Sequence, residues 1–371
     1  MNGFGPIIAG LCATLVGIGL QRFAYAPLLP AMVHAEWLSA GAAGTLAAAN
    51  FAGYLAGAAL APTVARGLGI RPALRTAIII AAACFAFCAW RGGLGWFLPW
   101  RTLAGIAGGI LMVTAGPAVQ AAVPPGRRTL AAGLMFAGVG LGIVSSSVIV
   151  PAILPAGLAA TWLSLGVAAG ALALLAWPRW PDVPPPPRLR LPPLHRGATG
   201  RFVAAYTLGG VALTPHMGWW PDYIARGLGQ GTNAGSAYWL LFGAAAACGP
   251  TVCGRLADRT GVARAFFIGT IAQAIGVGLP LAGAATPVLA LSTVLSGAMT
   301  VGLTALALTR APELAGPASQ GVWRICTVGW AAAQTVSGFL LTWLYTATGS
   351  HLPLFGVGLA AAIAAVVLAR A

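Results

Sequence analysis

Three arginines stand inside long apolar runs: Arg22 in GLQRFAYAPLLPAM, Arg101 in RTLAGIAGG and Arg324 in VWRICTVGW. A guanidinium keeps its charge at any biological pH and offers five N–H donors in a planar fork. Its natural partner is a carboxylate or phosphate held bidentately. Arg22 is flanked by Gln21 and Tyr25, and Gln334 stands in another apolar run, WAAAQTVSG. TPHMGWWPDY supplies His216 and, near its end, Asp222. An imidazole changes charge near neutral pH, so this pair suits proton transfer. The five acids, Glu36, Asp182, Asp222, Asp258 and Glu313, all fall at segment ends or in loops. A central site rich in cations and empty of carboxylates argues against a cationic ligand and for an anionic one.

The elements that carry these residues must cross a membrane. Of 371 residues, 59% are apolar and only 7% charged, against about 25% charged in an ordinary soluble domain. A span needs about 20 apolar residues and, in lipid, must satisfy its own backbone, so it is helical. The chain divides into twelve such spans, at about 6–33, 41–64, 74–91, 94–122, 129–150, 157–178, 202–224, 235–254, 263–283, 286–309, 318–346 and 351–369. Alternation over ten-residue units is absent, which excludes an outer-membrane barrel. The first residues have no basic leader and read as a membrane helix, not a cleaved signal.

All 20 basic residues are arginine, and the formal charge is +15. With the N-terminus in the cytoplasm, fifteen arginines fall on the cytoplasmic side and two, Arg91 and Arg226, on the other. That bias orients the protein with both termini cytoplasmic in a bacterial inner membrane. It also assigns the charge to the lipid surface, so no nucleic-acid partner is expected. The six cysteines lie in or at the ends of apolar spans with no metal-ligand spacing. No metal or cofactor is expected.

The sharpest break in composition is PRWPDVPPPPRLRLPPLHRGATGR, residues 178–201, with eight prolines and five arginines. Proline disfavours helix, so this segment reads as an extended linker. It divides the chain into an N-terminal six-helix bundle (1–178), a linker (179–200) and a C-terminal six-helix bundle (201–371). Equal halves are what internal repeats in secondary transporters produce.

One loop narrows the reading. GRLADRTGVAR, residues 254–264, resembles the loop signature of the major facilitator superfamily, with Gly254, Leu256, Asp258, Arg259, Gly261 and Arg264 at its positions. The resemblance implies two pseudo-symmetric bundles working by alternating access, with Asp258 and Arg259 as a conformational latch against Arg127 and Arg128 at the start of span 5. The first-half loop, APTVARGLGIRPALR, has no acid; Ala65 stands where Asp258 would align. Arg101 followed by Gly105 and Gly109 resembles the family's span-4 signature. AGVGLGIVSSS in span 5 lacks the proline of the antiporter signature, which lessens the case for export. RFAYAPLLPAM, LAAANFAGYLAGA and WAAAQTVSG further resemble the YbfB/YjiJ-type branch, with Gln21 departing from its usual glycine.

Each charged residue carries two readings. An arginine at mid-membrane costs about 2.5–3.5 kcal/mol on insertion scales, so Arg22 must face a bundle interior or water. There it either holds an anionic group of a substrate or braces the fold through carbonyls and Tyr25. Pro27 and Pro30 are expected to open the helix just beyond it. Arg101 either lines the cavity or snorkels to the interface. His216 either couples a proton, with Asp222, or is a satisfied interior histidine. Arg324 lines the cavity or serves an inner gate. Taken together, Arg22, Gln21, Tyr25, Arg101, His216 and Gln334 are the expected substrate-binding set. The function expected is secondary transport of a small organic anion by a monomer, with His216 and Asp222 as the candidate proton-coupling pair. The alternatives are efflux of amphipathic compounds, an intramembrane enzyme and a non-transporting sensor. No H-E-x-x-H and no aspartate pair within the spans supports the enzyme, and no soluble signalling domain supports the sensor.

Overall fold

The computed structural model describes residues 4–124, 128–184, 197–316 and 319–370. Twelve long helices follow in chain order: α1 Phe4–His34, α2 Ala40–Leu68, α3 Ile70–Phe87, α4 Gly93–Ala122, α5 Arg128–Ile153, α6 Leu158–Ala176, α7 Ala198–Asp222, α8 Gly231–Thr260, α9 Val262–Ala282, α10 Thr286–Ala315, α11 Ser319–Thr348 and α12 Leu352–Ala369. Eleven are long and apolar enough to cross a membrane on their own. The other, α7, carries Arg201, Pro215, His216, Pro221 and Asp222, and these polar and ring residues lower its hydropathy. No strand occurs among the described residues. Most of the linker, residues 185–196, lies outside the described residues, as does Arg127.

Two matching turns expose the repeat. Gly69 ends α2 at φ 87, ψ 157, and Gly261 ends α8 at φ 82, ψ 152. Only glycine takes this left-handed geometry without strain. Pairing these glycines sets the internal offset at 261 − 69 = 192. Arg66, not Ala65, therefore stands opposite Asp258, and Thr214 opposite Arg22. The one-residue correction arises because sequence alignment keyed on the acid, while the backbone keys on the turn.

Glycine also sets the packing. A Cβ added to Gly53 would stand 2.1 Å from the Thr102 carbonyl oxygen, and one added to Gly105 would stand 2.2 Å from that of Asn50. The G-x-x-x-G faces Gly53/Gly57 and Gly105/Gly109 thus bring α2 and α4 into backbone contact, as small residues do between membrane helices.

The first half's loop arginines remain within that half. Arg75 donates to the Trp177 carbonyl through Nε at 3.0 Å and Nη2 at 2.8 Å, and Arg71 donates to the Trp180 carbonyl at 3.0 Å. These cations cap the C-terminal end of α6, where the helix dipole favours positive charge.

The halves meet along α2 with α11, α5 with α8, and α1 with α7. Gly44 of α2 seats directly against Trp219 and Thr342 of the second half, and Gly41 against Thr346. These contacts lie toward the start of α2 and the end of α11, away from the arginine-rich loops. On that side the two halves are closed.

Candidate functional site

The helix that carries Arg22 is irregular. Leu15–Phe23 winds as a π-helix before α-helical geometry resumes at Tyr25. The expected opening beyond Pro27 and Pro30 does not occur; Tyr25–His34 stays helical with Pro30 inside it. The distortion lies upstream because proline affects the turn before it. Pro27 lacks the N–H that would ordinarily bond the Phe23 carbonyl, four residues back. That oxygen instead accepts the indole N–H of Trp239, from the second half, at 3.0 Å.

Arg22 projects from this π segment into a cavity between the halves. Its relative exposure is 8%. The cavity encloses about 590 Å³ including its mouth, and its walls include Arg22, Tyr54, Phe136, Tyr206, Met217 and Trp330. Thr304 lies in the later half of α10, and Trp323 and Thr327 in the first turns of α11. The cavity therefore runs from mid-depth toward the arginine-rich loops, opposite the closed side.

Arg22 Nη1 donates to Gln334 Oε1 at 2.9 Å, across the two halves. Gln334 Nε2 in turn lies 3.0 Å from Met217 Sδ. The Arg22 guanidinium sits over the rings of Tyr54 at 4.4 Å and Phe51 at 4.8 Å. Such faces attract a cation without neutralising it. Nη2 has no partner among the described residues.

Arg101 is buried, with 1% exposure, and so faces the interior and not the interface. Its Nη1 donates to the Gln21 carbonyl at 2.9 Å and reaches Gln21 Oε1 at 3.5 Å. It lies 4.5 Å above the Tyr25 ring, and its Nε has no partner among the described residues. A second, smaller pocket of about 220 Å³ lies between Arg22 and Arg101. Tyr25, Asn50, Phe51 and Gly218 help to close it.

The other expected residues are dispersed. Gln21 is buried and donates to the Ala81 carbonyl, so it braces α1 against α3 and lines neither pocket. The Tyr25 hydroxyl donates to the Ala43 carbonyl at 2.8 Å, leaving its ring to the smaller pocket. His216 lies inside the second half, with Nε2 2.9 Å from Ser292 Oγ and its ring stacked on Trp220 at 4.5 Å. It lines neither pocket. Asp222 is fully buried and bound by Arg226 at 2.5 and 2.6 Å and by His351 Nε2 at 2.8 Å. Arg226 also reaches the Tyr345 hydroxyl at 3.3 Å. Asp258 is exposed in the last turn of α8, beside Arg259, and pairs with no described residue. Its expected partners, Arg127 and the side chain of Arg128, lie outside the described residues. Arg324 is half-buried beside Trp323 of the cavity wall and bonds to no described residue.

Several site residues carry no strong sequence signal. Asn50, a lone amide in the apolar run LAAANFAGYLAGA, was the one legible candidate. His351 sits in a short connection and acquires meaning only when folding brings it to Asp222.

Comparison with known proteins places this geometry. Residues 14–370 match the family model described as "Uncharacterised MFS-type transporter YbfB". The chain is 28% identical to a chloramphenicol resistance protein of Streptomyces lividans, covering 96% of this chain and 94% of that one. Its fold resembles the D-xylose-proton symporter, with a TM-score of 0.74 at 16% identity over 97% of this chain and 96% of that one. It also resembles the nucleoside transporter NupG, with a TM-score of 0.72 at 14% identity over 98% and 97%.

Proposed function

From the premise that this chain belongs to the YbfB-type family of major facilitator transporters, we propose that it carries a small organic anion by alternating access. The family is one of transporters, not enzymes, and the chain is a multi-pass membrane protein. The observation that supports an anion is the pair of buried guanidiniums, Arg22 and Arg101, with unpartnered N–H groups and no carboxylate at either pocket. Arg22 is the anchor, because it faces the larger cavity. Gln334 holds its fork in the empty state, and a substrate carboxylate exchanges with that amide oxygen. The bond between Arg22 and Gln334 crosses the halves, so the exchange links binding to release of the closed side.

The location is a bacterial inner membrane with both termini cytoplasmic, supported by fifteen arginines against two. The cavity then opens inward. Proton coupling belongs with Asp222 and His351, since His216 faces Ser292 and no cavity. The groups facing Asp222 are Arg226 and His351, with Tyr223 and Tyr345 beside them. A second reading, efflux of an amphipathic compound, draws on the aromatic walls of the larger cavity and on the chloramphenicol-resistance relative.

Thermal-shift screening of organic acids against the purified protein tests the proposal. Losing one partner of a buried charge pair costs about 2–5 kcal/mol, or roughly 30- to several-thousand-fold in affinity. Arg22→Ala and Arg22→Lys should therefore abolish ligand stabilisation while still inserting in the membrane. Full uptake by both variants would end the anchoring role.

A further inference from the structure

We propose that the small pocket between Arg22 and Arg101 is a site for a single halide-sized inorganic anion, distinct from the substrate cavity. Four observations carry it. Both arginines are more than nine-tenths buried, and each keeps an unpartnered N–H: Nη2 of Arg22 and Nε of Arg101. They line one pocket and stand close enough for their charges to repel. No acid is available to offset them: Asp222 is committed to Arg226 and His351, and the other acids lie at helix ends or in loops. The pocket is the smaller of the two that Arg22 borders.

Ring faces and a glutamine satisfy geometry but leave the charge in place. Arg22 has Tyr54 and Phe51, and Arg101 has Tyr25 and Trp162 at 5.9 Å. Two permanent cations in a low-dielectric interior need a compensating charge, which a water molecule does not supply. The donors present are guanidinium N–H groups and the second amide hydrogen of Asn50, whose first is spent on the Arg101 carbonyl at 3.0 Å. Such a donor set suits a small anion. Ala26, Ala47 and Phe51 give the pocket apolar walls. Because Arg22 borders both pockets, the resident anion would hold its fork in place for a substrate arriving from the larger one.

Gly218 offers a direct substitution. It lines the pocket, and a Cβ built on it meets nothing within 4 Å. Gly218→Asp would place a fixed carboxylate where the halide sits. The test is thermal unfolding of the purified full chain in sodium chloride or bromide against sodium gluconate and sodium sulfate at equal ionic strength. The wild type should gain several degrees in either halide, saturably. Gly218→Asp should match the halide-bound wild type in gluconate and ignore halide, and Arg101→Gln should also ignore it. Equal wild-type stability in all four salts, or a halide response that survives in Gly218→Asp, overturns the site. Where either variant fails to fold, radiochloride binding to the wild type decides: one chloride per chain supports the site and none refutes it. Stabilisation by formate and acetate but not by halides would overturn the halide and return the pocket to the substrate. The organic-anion reading stands or falls separately, on Arg22-dependent stabilisation by larger acids measured in saturating chloride.

Discussion

Gly44→Ala should open the closed side of the transporter. A Cβ at this position would lie 2.5 Å from Trp219 Cζ2, 2.8 Å from Trp219 Cη2 and 2.8 Å from Thr342 Oγ1. Ordinary contact begins near 3.4 Å, so the two halves must part locally or Trp219 must move by most of an ångström. Trp219 has little freedom to do so. It is 2% exposed, 4.7 Å from the Tyr345 ring and 6.0 Å from that of His351. Overpacking a fitted site costs about 1–3 kcal/mol. If that cost falls only on the state in which the halves touch here, the equilibrium moves roughly 5- to 150-fold toward the opposite opening. A reporter cysteine at Thr327, in the cavity wall, makes this measurable. Its labelling by an impermeant maleimide in inside-out vesicles, corrected for the chain without it, should slow in Gly44→Ala. Gly67→Ala serves as the control, since nothing lies within 4 Å of a Cβ there. Unchanged labelling in a folded Gly44→Ala protein, or an equal fall in the control, would refute the assignment of this contact as the seal between states.

Further outcomes follow from buried hydrogen bonds. Asp222→Asn should destabilise the protein by about 3 kcal/mol, because breaking a buried pair strands its partners; Arg226 and His351 both bond to that carboxylate. His351→Gln should spare most of that stability yet flatten the pH dependence of uptake, and an unchanged pH profile would remove this pair from coupling. Trp239→Phe should cost about 1 kcal/mol by deleting the bond to the Phe23 carbonyl. Pro27→Ala should shrink that cost by giving the carbonyl back its own helical donor, and a double-mutant cycle with zero coupling would refute the link.

The spans were legible because lipid leaves the backbone one solution, and arginine counts in the loops oriented them without any tertiary information. Twelve helices stand close to where hydropathy put them, including α7, whose polar residues keep it below a composition threshold. Arg22 and Arg101 were legible for the same reason: a charge in an apolar run must be housed. What each charge faces was not legible. Gln21 is adjacent to Arg22 in sequence, yet it turns to Ala81 and Arg101, because successive residues on a helix point about 100° apart. Gln334, 312 positions away, is the one that meets Arg22. The register set by Gly69 and Gly261 puts Thr214, not His216, opposite Arg22. His351 had no signal at all, since a lone histidine in a loop differs from any other until Asp222 lies 2.8 Å away.

The two halves handle charge in opposite ways, and this asymmetry accounts for a division of labour. In the second half, Asp222 is matched on the spot by Arg226 and His351, so the cluster is close to self-sufficient. It also lies directly behind Trp219, which seats against Gly44, so a change in its charge bears on the seal between the halves. In the first half, Arg22 and Arg101 have ring faces and carbonyls but no acid beside them, which is why an anion is proposed to complete them. In the proposed cycle, the self-compensated cluster at the seal and the uncompensated one at the cavity take different parts. The first can be switched without a ligand, while the second is completed only by one. The bond from Arg22 to Gln334 is where the two meet, because the residue that awaits an anion also holds the halves together. On that proposal, a ligand that neutralises Arg22 weakens the closed side as it binds. One guanidinium thus links occupancy of the cavity to the choice of which face is open.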